Sequence, residues 1–272
     1  MANQQTIARP SVFRGRGIFS NAEGSLTFLP AEPDCGVVFR RTDLGGAEVR
    51  VHPSNLVEVA NTCTVLKSGA AEIYVVEHVL ACLAALEIDN VVIEIDAAEV
   101  PSSSGCASDY VETLDHAGIA VQDAPANEPL LSQPVVIGGG ARMLVLSPAD
   151  EFTVSYVLDH PHPHLGLQAV FGVGRRDFLR ELVPARTFTT EEEARTAIEA
   201  GLIKHCDRTR AVIIGENGAS RELIWKNEAA RHKAQDIVGD LSIFSPRLKA
   251  HVVGIRSGHA LNREAARRLA GG

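Results

Sequence analysis

The chain lacks paired cysteines, a long apolar run and an excess of positive charge, and each shortage removes a class of protein. Its five cysteines (Cys35, Cys63, Cys82, Cys106, Cys206) are odd in number, widely spaced and free of any C-x-x-C pair. That usage argues against a disulfide framework and a thiolate zinc site, and fits a reducing cytoplasm. No stretch approaches the roughly 20 apolar residues of a membrane span. Met1 to Phe13 carries Gln, Arg and Pro but no apolar signal core. A cytoplasmic protein without an integral membrane segment is expected. A formal net charge of −8 disfavours broad nucleic-acid binding, while leaving room for a local basic pocket around a phosphorylated ligand. H-E-x-x-H, G-x-G-x-x-G, P-loop and G-x-S-x-G motifs are also missing, so protease, kinase and serine-hydrolase readings lose their usual support.

What is present suits a packed globular protein. With 272 residues and 45% hydrophobic content, the chain can build one large domain or two of ordinary size. Short β-like runs (Gly36 to Arg40, Ala47 to Val51) lie among Gly, Pro and Asn. Val76, Val79, Leu80, Leu83 and Leu86 then recur at helical spacing, and the helix should stop near Asp89-Asn90, before the β-branched run to Ile95. Tyr110 to Ala117 predicts a second helix. Val121 to Pro134 holds three prolines among polar residues and is the best linker candidate, dividing a first domain (residues 1–124) from a second (135–272) with a linker at 125–134.

The second half repeats the order. Strands are expected near Val135 to Ile137, Arg142 to Leu146 and Phe152 to Leu158, and helices over Arg175 to Leu182 and Glu191 to Ala200. A long helix from Asn227 to Phe244 precedes a strand, His251 to Ile255, and a terminal helix from Asn262. The echo predicts an α+β fold of two related domains, each a mainly antiparallel sheet with helices on one face, meeting at a shared cleft.

Two segments carry chemistry: Glu77-His78 at the start of the first apolar helix, and His232-Lys233-Ala234-Gln235-Asp236 about 150 residues later. Residues four apart on a helix share a face, so His232 and Asp236 can aim an imidazole and a carboxylate at one point, with Asp240 a turn further on. With His78 they make three ligands. A catalytic zinc commonly takes three protein ligands and keeps a position for water, and Glu77 beside a ligand is the natural base for that water. Fe²⁺ suits the same donors. Each piece alone has a plainer reading, Glu77-His78 as a polar first turn and His232/Asp236 as a solvated helix face beside Arg231, Lys233 and Asp240. His259, in a Gly-bearing strand-to-helix turn, is a further candidate. His160-Pro161-His162-Pro163-His164 is a competing cluster, but alternating prolines hold it extended and turn neighbouring imidazoles apart, so it reads as a turn.

Taken together, the motifs resemble the zinc-dependent UDP-3-O-acyl-N-acetylglucosamine deacetylases of lipid A biosynthesis. The resemblance spans nearly the whole chain: Val38 to Leu44, Val76-Glu77-His78 with Leu86 to Asn90, Ala185-Arg186-Thr187-Phe188, Arg231-His232-Lys233 with Asp236 and Gly239-Asp240-Leu241, and Ser257 to Asn262. It implies one zinc per chain on His78, His232 and Asp236, with Glu77 as general base, His259 as general acid, Asp240 orienting His259, and Thr187 as a donor to the oxyanion. It also implies a β-α-α-β sandwich with the metal between the domains, and a sugar-nucleotide substrate contacted by Phe188, with Lys233 and Arg256 the cations best placed for its phosphate or sugar oxygens. A monomer is expected. Alternatives are a paralogue deacetylating another N-acetylated sugar, or a non-catalytic metal-bearing module that binds sugar nucleotides. Retention of both Glu77 and His259 favours turnover over mere binding.

The chain also departs from the family pattern. Phe19 in Gly15 to Asn21 stands where a cleft histidine is usual, and Leu158 in Val157 to Pro161 where an aromatic stacks on uracil. Thr189-Thr190-Glu191-Glu192 and Lys204-His205-Cys206-Asp207 fall where an apolar acyl passage is usual, and such charges beside a fatty chain are tolerable only if they point to water.

Overall fold

The computed structural model describes residues 2–59, 62–201, 203–204 and 207–271. The first half runs β1 (Asn3–Ile7), β2 (Ser11–Arg16), β3 (Glu23–Pro30), β4 (Val37–Arg41), β5 (Ala47–Arg50), β6 (Val65–Ser68), β7 (Ala71–Tyr74), α1 (Glu77–Ala85), β8 (Val91–Ile95), α2 (Val111–Ala117) and β9 (Ile119–Pro125). The second runs β10 (Val135–Gly139), β11 (Arg142–Pro148), β12 (Thr153–His160), β13 (Gly166–Gly174), α3 (Phe178–Glu181), β14 (Phe188–Thr190), α4 (Glu191–Glu199), β15 (Val212–Gly215), β16 (Gly218–Ala219), α5 (Glu228–Ser242), β17 (Ala250–Ile255) and α6 (His259–Gly271).

Each half builds a five-stranded sheet with the same wiring. In the first, hairpins β2-β3 and β4-β5 flank β8, which is antiparallel to β3 and parallel to β4. In the second, hairpins β10-β11 and β12-β13 flank β17 in the same senses. α1 leads into the central strand of one sheet and α5 into that of the other, so the weak echo in sequence is a topological repeat. The two helices pack on each other between the sheets, which gives the β-α-α-β sandwich.

Packing explains which residues form these helices. From Glu77 to Ala84 every residue of α1 is buried, as expected for a helix apolar on all sides. Its two polar residues are therefore held away from bulk water. α5 packs against α1, and Gly239 is the buried small residue that lets the two backbones come together. The approach is close at Gly239, where a Cβ would lie 2.0 Å from the Glu77 carbonyl oxygen. Leu26, Phe28, Phe39 and Ile93 on one inner sheet face, and Leu144, Leu146, Val154 and Val252 on the other, complete a continuous core.

Several expectations need correction. β9 takes up the start of the segment read as linker, Val121 to Pro134, and pairs antiparallel with β1. Its side chains alternate between exposed and half-buried, so no apolar period marks it. α6 begins at His259, three residues before the expected start, which puts His259 in its first turn. β13 and the β14–β16 sheet fall outside the strands expected from the sequence. Residues 160–166 form a turn, as its prolines predict, with Leu165 N–H and Gly166 N–H donating to the His162 carbonyl. No helix of the described residues is long and apolar enough to cross a membrane. Cys35, Cys63, Cys82 and Cys106 are free; His205 and Cys206 lie outside the described residues.

Candidate active site

The first turn of α1 and the middle of α5 bring Glu77, His78, His232 and Asp236 together, and the start of α6 adds His259. All five are buried. One ligand atom each from His78, His232 and Asp236 lies within 4.8 Å of the others, a grouping that could hold a metal ion. Asp236 Oδ1 stands 3.3 Å from His232 Nε2 and 3.8 Å from His78 Nε2. This oxygen is fully buried and has no hydrogen-bond partner among the described residues, although a buried polar atom is nearly always paired. An unpartnered carboxylate oxygen facing two imidazole nitrogens fits a cation, and its N/N/O donor set is one that Zn²⁺ and Fe²⁺ both accept.

Electrostatics favours ligand-competent forms. Burial, reinforced by the adjoining His232, pushes His78 down to about 3, and burial lowers His232 as well, so both rings are neutral near pH 7. Burial opposes the charge on Asp236, but His232 and Lys233 outweigh it and hold the carboxyl well below the usual carboxylate range. Lys233 Nζ donates to Asp236 Oδ2 at 2.8 Å and sits 5.7 Å from the centre of the Phe188 ring. The cation expected at substrate phosphate is thus paired beside the metal-binding group.

Two further devices flank the group. Glu77 Oε2 accepts from Thr64 N–H at 3.0 Å. Burial lifts the Glu77 pKa to about 7, opposed by His259 and assisted by Asp240 and Asp236. His259 Nδ1 is 2.9 Å from Asp240 Oδ2, and Asp240 also accepts from the Thr64 hydroxyl at 2.6 Å and the Asn262 amide at 2.9 Å. Burial works against protonated His259, but Asp240 and Asp236 outweigh it and raise its pKa to about 9. A carboxyl that titrates near neutrality and an imidazole that stays protonated can serve as a base and an acid.

A cavity of about 310 Å³ opens over this group, with Thr187 and Phe188 in its wall and apolar lining from Ile18, Phe19, Val75 and Ile203. Phe188 and Lys233 also line a second cleft of about 710 Å³, which runs past Leu158, Arg256, His160 and His162. Phe19 lines the smaller cavity and Leu158 the larger cleft. Arg256 lies at the rim of the larger cleft and pairs with Asp159 at 3.3 Å. Arg142, which the sequence did not single out, adds a further cation to that cleft. Glu191, Glu192 and Lys204 are exposed to water. The Thr190 hydroxyl accepts from Glu193 N–H to cap α4. The histidine turn is committed elsewhere: His160 Nε2 faces Glu193 at 3.2 Å, and His164 Nε2 lies 2.9 Å from the Glu216 carbonyl.

Sequence reasoning missed Thr64, Asn262 and Gln235 as supports. Thr64 sits in a loop with no motif, and its role depends on a fold contact between residues 64 and 240. Gln235 and Asn262 lie within motifs that were read, and helical spacing from His232 and His259 was the available signal.

The fold and the site define an α+β sandwich with a ligand-capable His/His/Asp group and an acid–base pair where its two halves meet. A family described as UDP-3-O-acyl N-acetylglycosamine deacetylase matches residues 4–271. The chain is 34% identical to the UDP-3-O-acyl-N-acetylglucosamine deacetylase of Chlamydia abortus, over 98% of this chain and 96% of that protein. It is 35% identical to the enzyme of that name from Anaeromyxobacter sp. (strain Fw109-5), over 98% and 88%, and 32% identical to that of Bdellovibrio bacteriovorus, over 98% and 89%. The chain belongs to the UDP-3-O-acyl-N-acetylglucosamine deacetylase family.

Proposed function

We propose that the protein is a zinc-dependent amidohydrolase that removes the acetyl group of UDP-3-O-acyl-N-acetylglucosamine in lipid A biosynthesis. The observation that carries this reading is the convergence of Glu77, the His78/His232/Asp236 group and the His259–Asp240 pair on one buried point beneath an open cavity. His78, His232 and Asp236 would hold one zinc ion, whose Lewis acidity polarises the amide carbonyl and acidifies the attacking water.

The chain's own groups perform the proton transfers. Glu77 takes a proton from the water as its oxygen bonds to the carbonyl carbon, and burial supports this by raising the basicity of the carboxylate. Thr187 donates a hydrogen bond to the oxygen that gains negative charge, a contact realised fully only in the transition state. His259 delivers the Nε2 proton to the departing nitrogen as the C–N bond breaks, leaving acetate and a free amine. Asp240, held by Thr64 and Asn262, keeps Nδ1 protonated and the ring oriented. Phe188, Lys233 and Arg256 would contact the sugar nucleotide along the larger cleft.

One observation favours a second reading. Phe19 and Leu158 line the cavities where the family's cleft histidine and stacking aromatic are usual, which suits a paralogue acting on a different N-acetyl sugar. Product analysis with nucleotide-linked and unlinked substrates decides between them. Acetate released far faster from the UDP-linked compound supports the first, and equal rates support the second.

A further inference from the structure

A carboxamide is costly to bury unless its polar atoms are bonded, yet Gln235 is only 1% exposed. Its Oε1 accepts from the Ala107 backbone N–H at 3.0 Å, across the boundary between the two halves. This fixes the amide's direction, because the reverse orientation would set two donors against each other. Nε2 therefore faces the Ala185 carbonyl at 3.2 Å and His232 Nδ1 at 3.1 Å, and the same carbonyl lies 3.0 Å from His232 Nδ1.

We infer that Gln235 is a positioning residue for the metal-binding group, a role that rests on reading His232 as a ligand. When Nε2 of His232 binds a cation, Nδ1 carries the ring proton and needs a fixed acceptor. Ala185 supplies it, and Gln235 pins that carbonyl to the turn at Ala107. One side chain thus ties α5, the segment leading to Thr187 and a turn of the other half, and sets the His232 ring from both halves at once.

The test uses the full chain with two substitutions. Gln235→Leu keeps the bulk and removes every polar contact. Gln235→Met keeps the length of the side chain as well, and has no donor for the Ala185 carbonyl and only a weak sulfur acceptor for Ala107 N–H. Zinc affinity is read by competition with a chromophoric chelator, the ligand geometry by the visible spectrum of the Co²⁺-loaded protein, and stability by urea titration of the metal-free forms. Loss of an outer partner of a ligand typically costs about 10- to 100-fold in metal affinity. The leucine and methionine variants should both lose that much and shift the Co²⁺ bands. A leucine variant with a lower urea midpoint but unchanged affinity and spectrum has lost only packing, which overturns the inference. So does a methionine variant that keeps the wild-type affinity and spectrum. A wild-type protein that binds no zinc overturns the ligand reading itself, and this inference with it.

Discussion

Replacing Gly239 by alanine should damage the protein although alanine is the better helix former. In an unhindered helix interior the change would stabilise by about 0.8–1 kcal/mol. At Gly239 the new Cβ would lie 2.0 Å from the Glu77 carbonyl oxygen, 2.8 Å from its carbon and 3.1 Å from its Cα. These are backbone atoms, so no rotamer change relieves the clash, and α1 must move away from α5 by about 1 Å to restore van der Waals distance. Overpacking costs about 1–3 kcal/mol; a clash against fixed backbone belongs at the upper end, so about 3 less a propensity gain of about 1 leaves a net loss of about 2 kcal/mol. The same movement carries His78 away from His232 and Asp236, and a misplacement of about 1 Å can cost about 100-fold in rate. Urea unfolding of Gly239→Ala, paired with zinc titration and turnover, measures all three effects. Gly139→Ala, at a position with no atom within 4 Å of the new Cβ, is the control and should leave all three unchanged. A Gly239→Ala protein of equal or higher stability with normal zinc binding would refute the close-packing argument.

Other predictions address the chemistry. His78→Ala, His232→Ala and Asp236→Ala should each lower bound metal sharply by elemental analysis while circular dichroism stays near normal; full occupancy in any one removes that residue from the ligand set. Glu77→Gln keeps its shape but cannot accept a proton, so turnover should fall about 100-fold or more with zinc retained; near-normal turnover would contradict its role as base. The pH profile of kcat/KM should be bell-shaped. Glu77 must be deprotonated, so activity falls as pH drops through its pKa of about 7, and His259 must be protonated, so activity falls as pH rises through about 9. Survival of the acidic limb in Glu77→Gln would reassign it. Arg256→Ala should weaken a UDP-linked substrate by about 10- to 150-fold through loss of a charge-assisted contact and leave an unlinked N-acetyl sugar unaffected; equal losses for the two ligands would point to a substrate without UDP.

The candidate site was more legible than the strands around it. His232 and Asp236 could be paired from helical spacing alone, and His78 was marked by its place in an apolar helix. Glu77 was legible for the same reason, and its buried position gives the raised pKa. β9 and β13 were illegible because their faces are too evenly exposed to produce an apolar alternation. The start of α6 was misplaced because Ser257-Gly258 reads as a turn, whereas the chain enters the helix directly at His259. The supports were hidden for a different reason. Thr64 reaches Asp240 and Gln235 reaches Ala107 only once the halves have docked, and no local pattern encodes a contact over such sequence separations. Lys233 shows the limit from the other side: its proximity to the site was evident, but its pairing with Asp236 depends on side-chain geometry.

The most direct test of the central claim is zinc titration of the metal-stripped protein, with acetate release from UDP-3-O-acyl-N-acetylglucosamine recorded at each addition. Activity should rise linearly and reach its plateau at about one zinc per chain, the stoichiometry of a single three-ligand site, and Asp236→Ala should show no such rise. Full acetate release from the stripped protein, or none from a protein carrying one zinc per chain, would contradict the account.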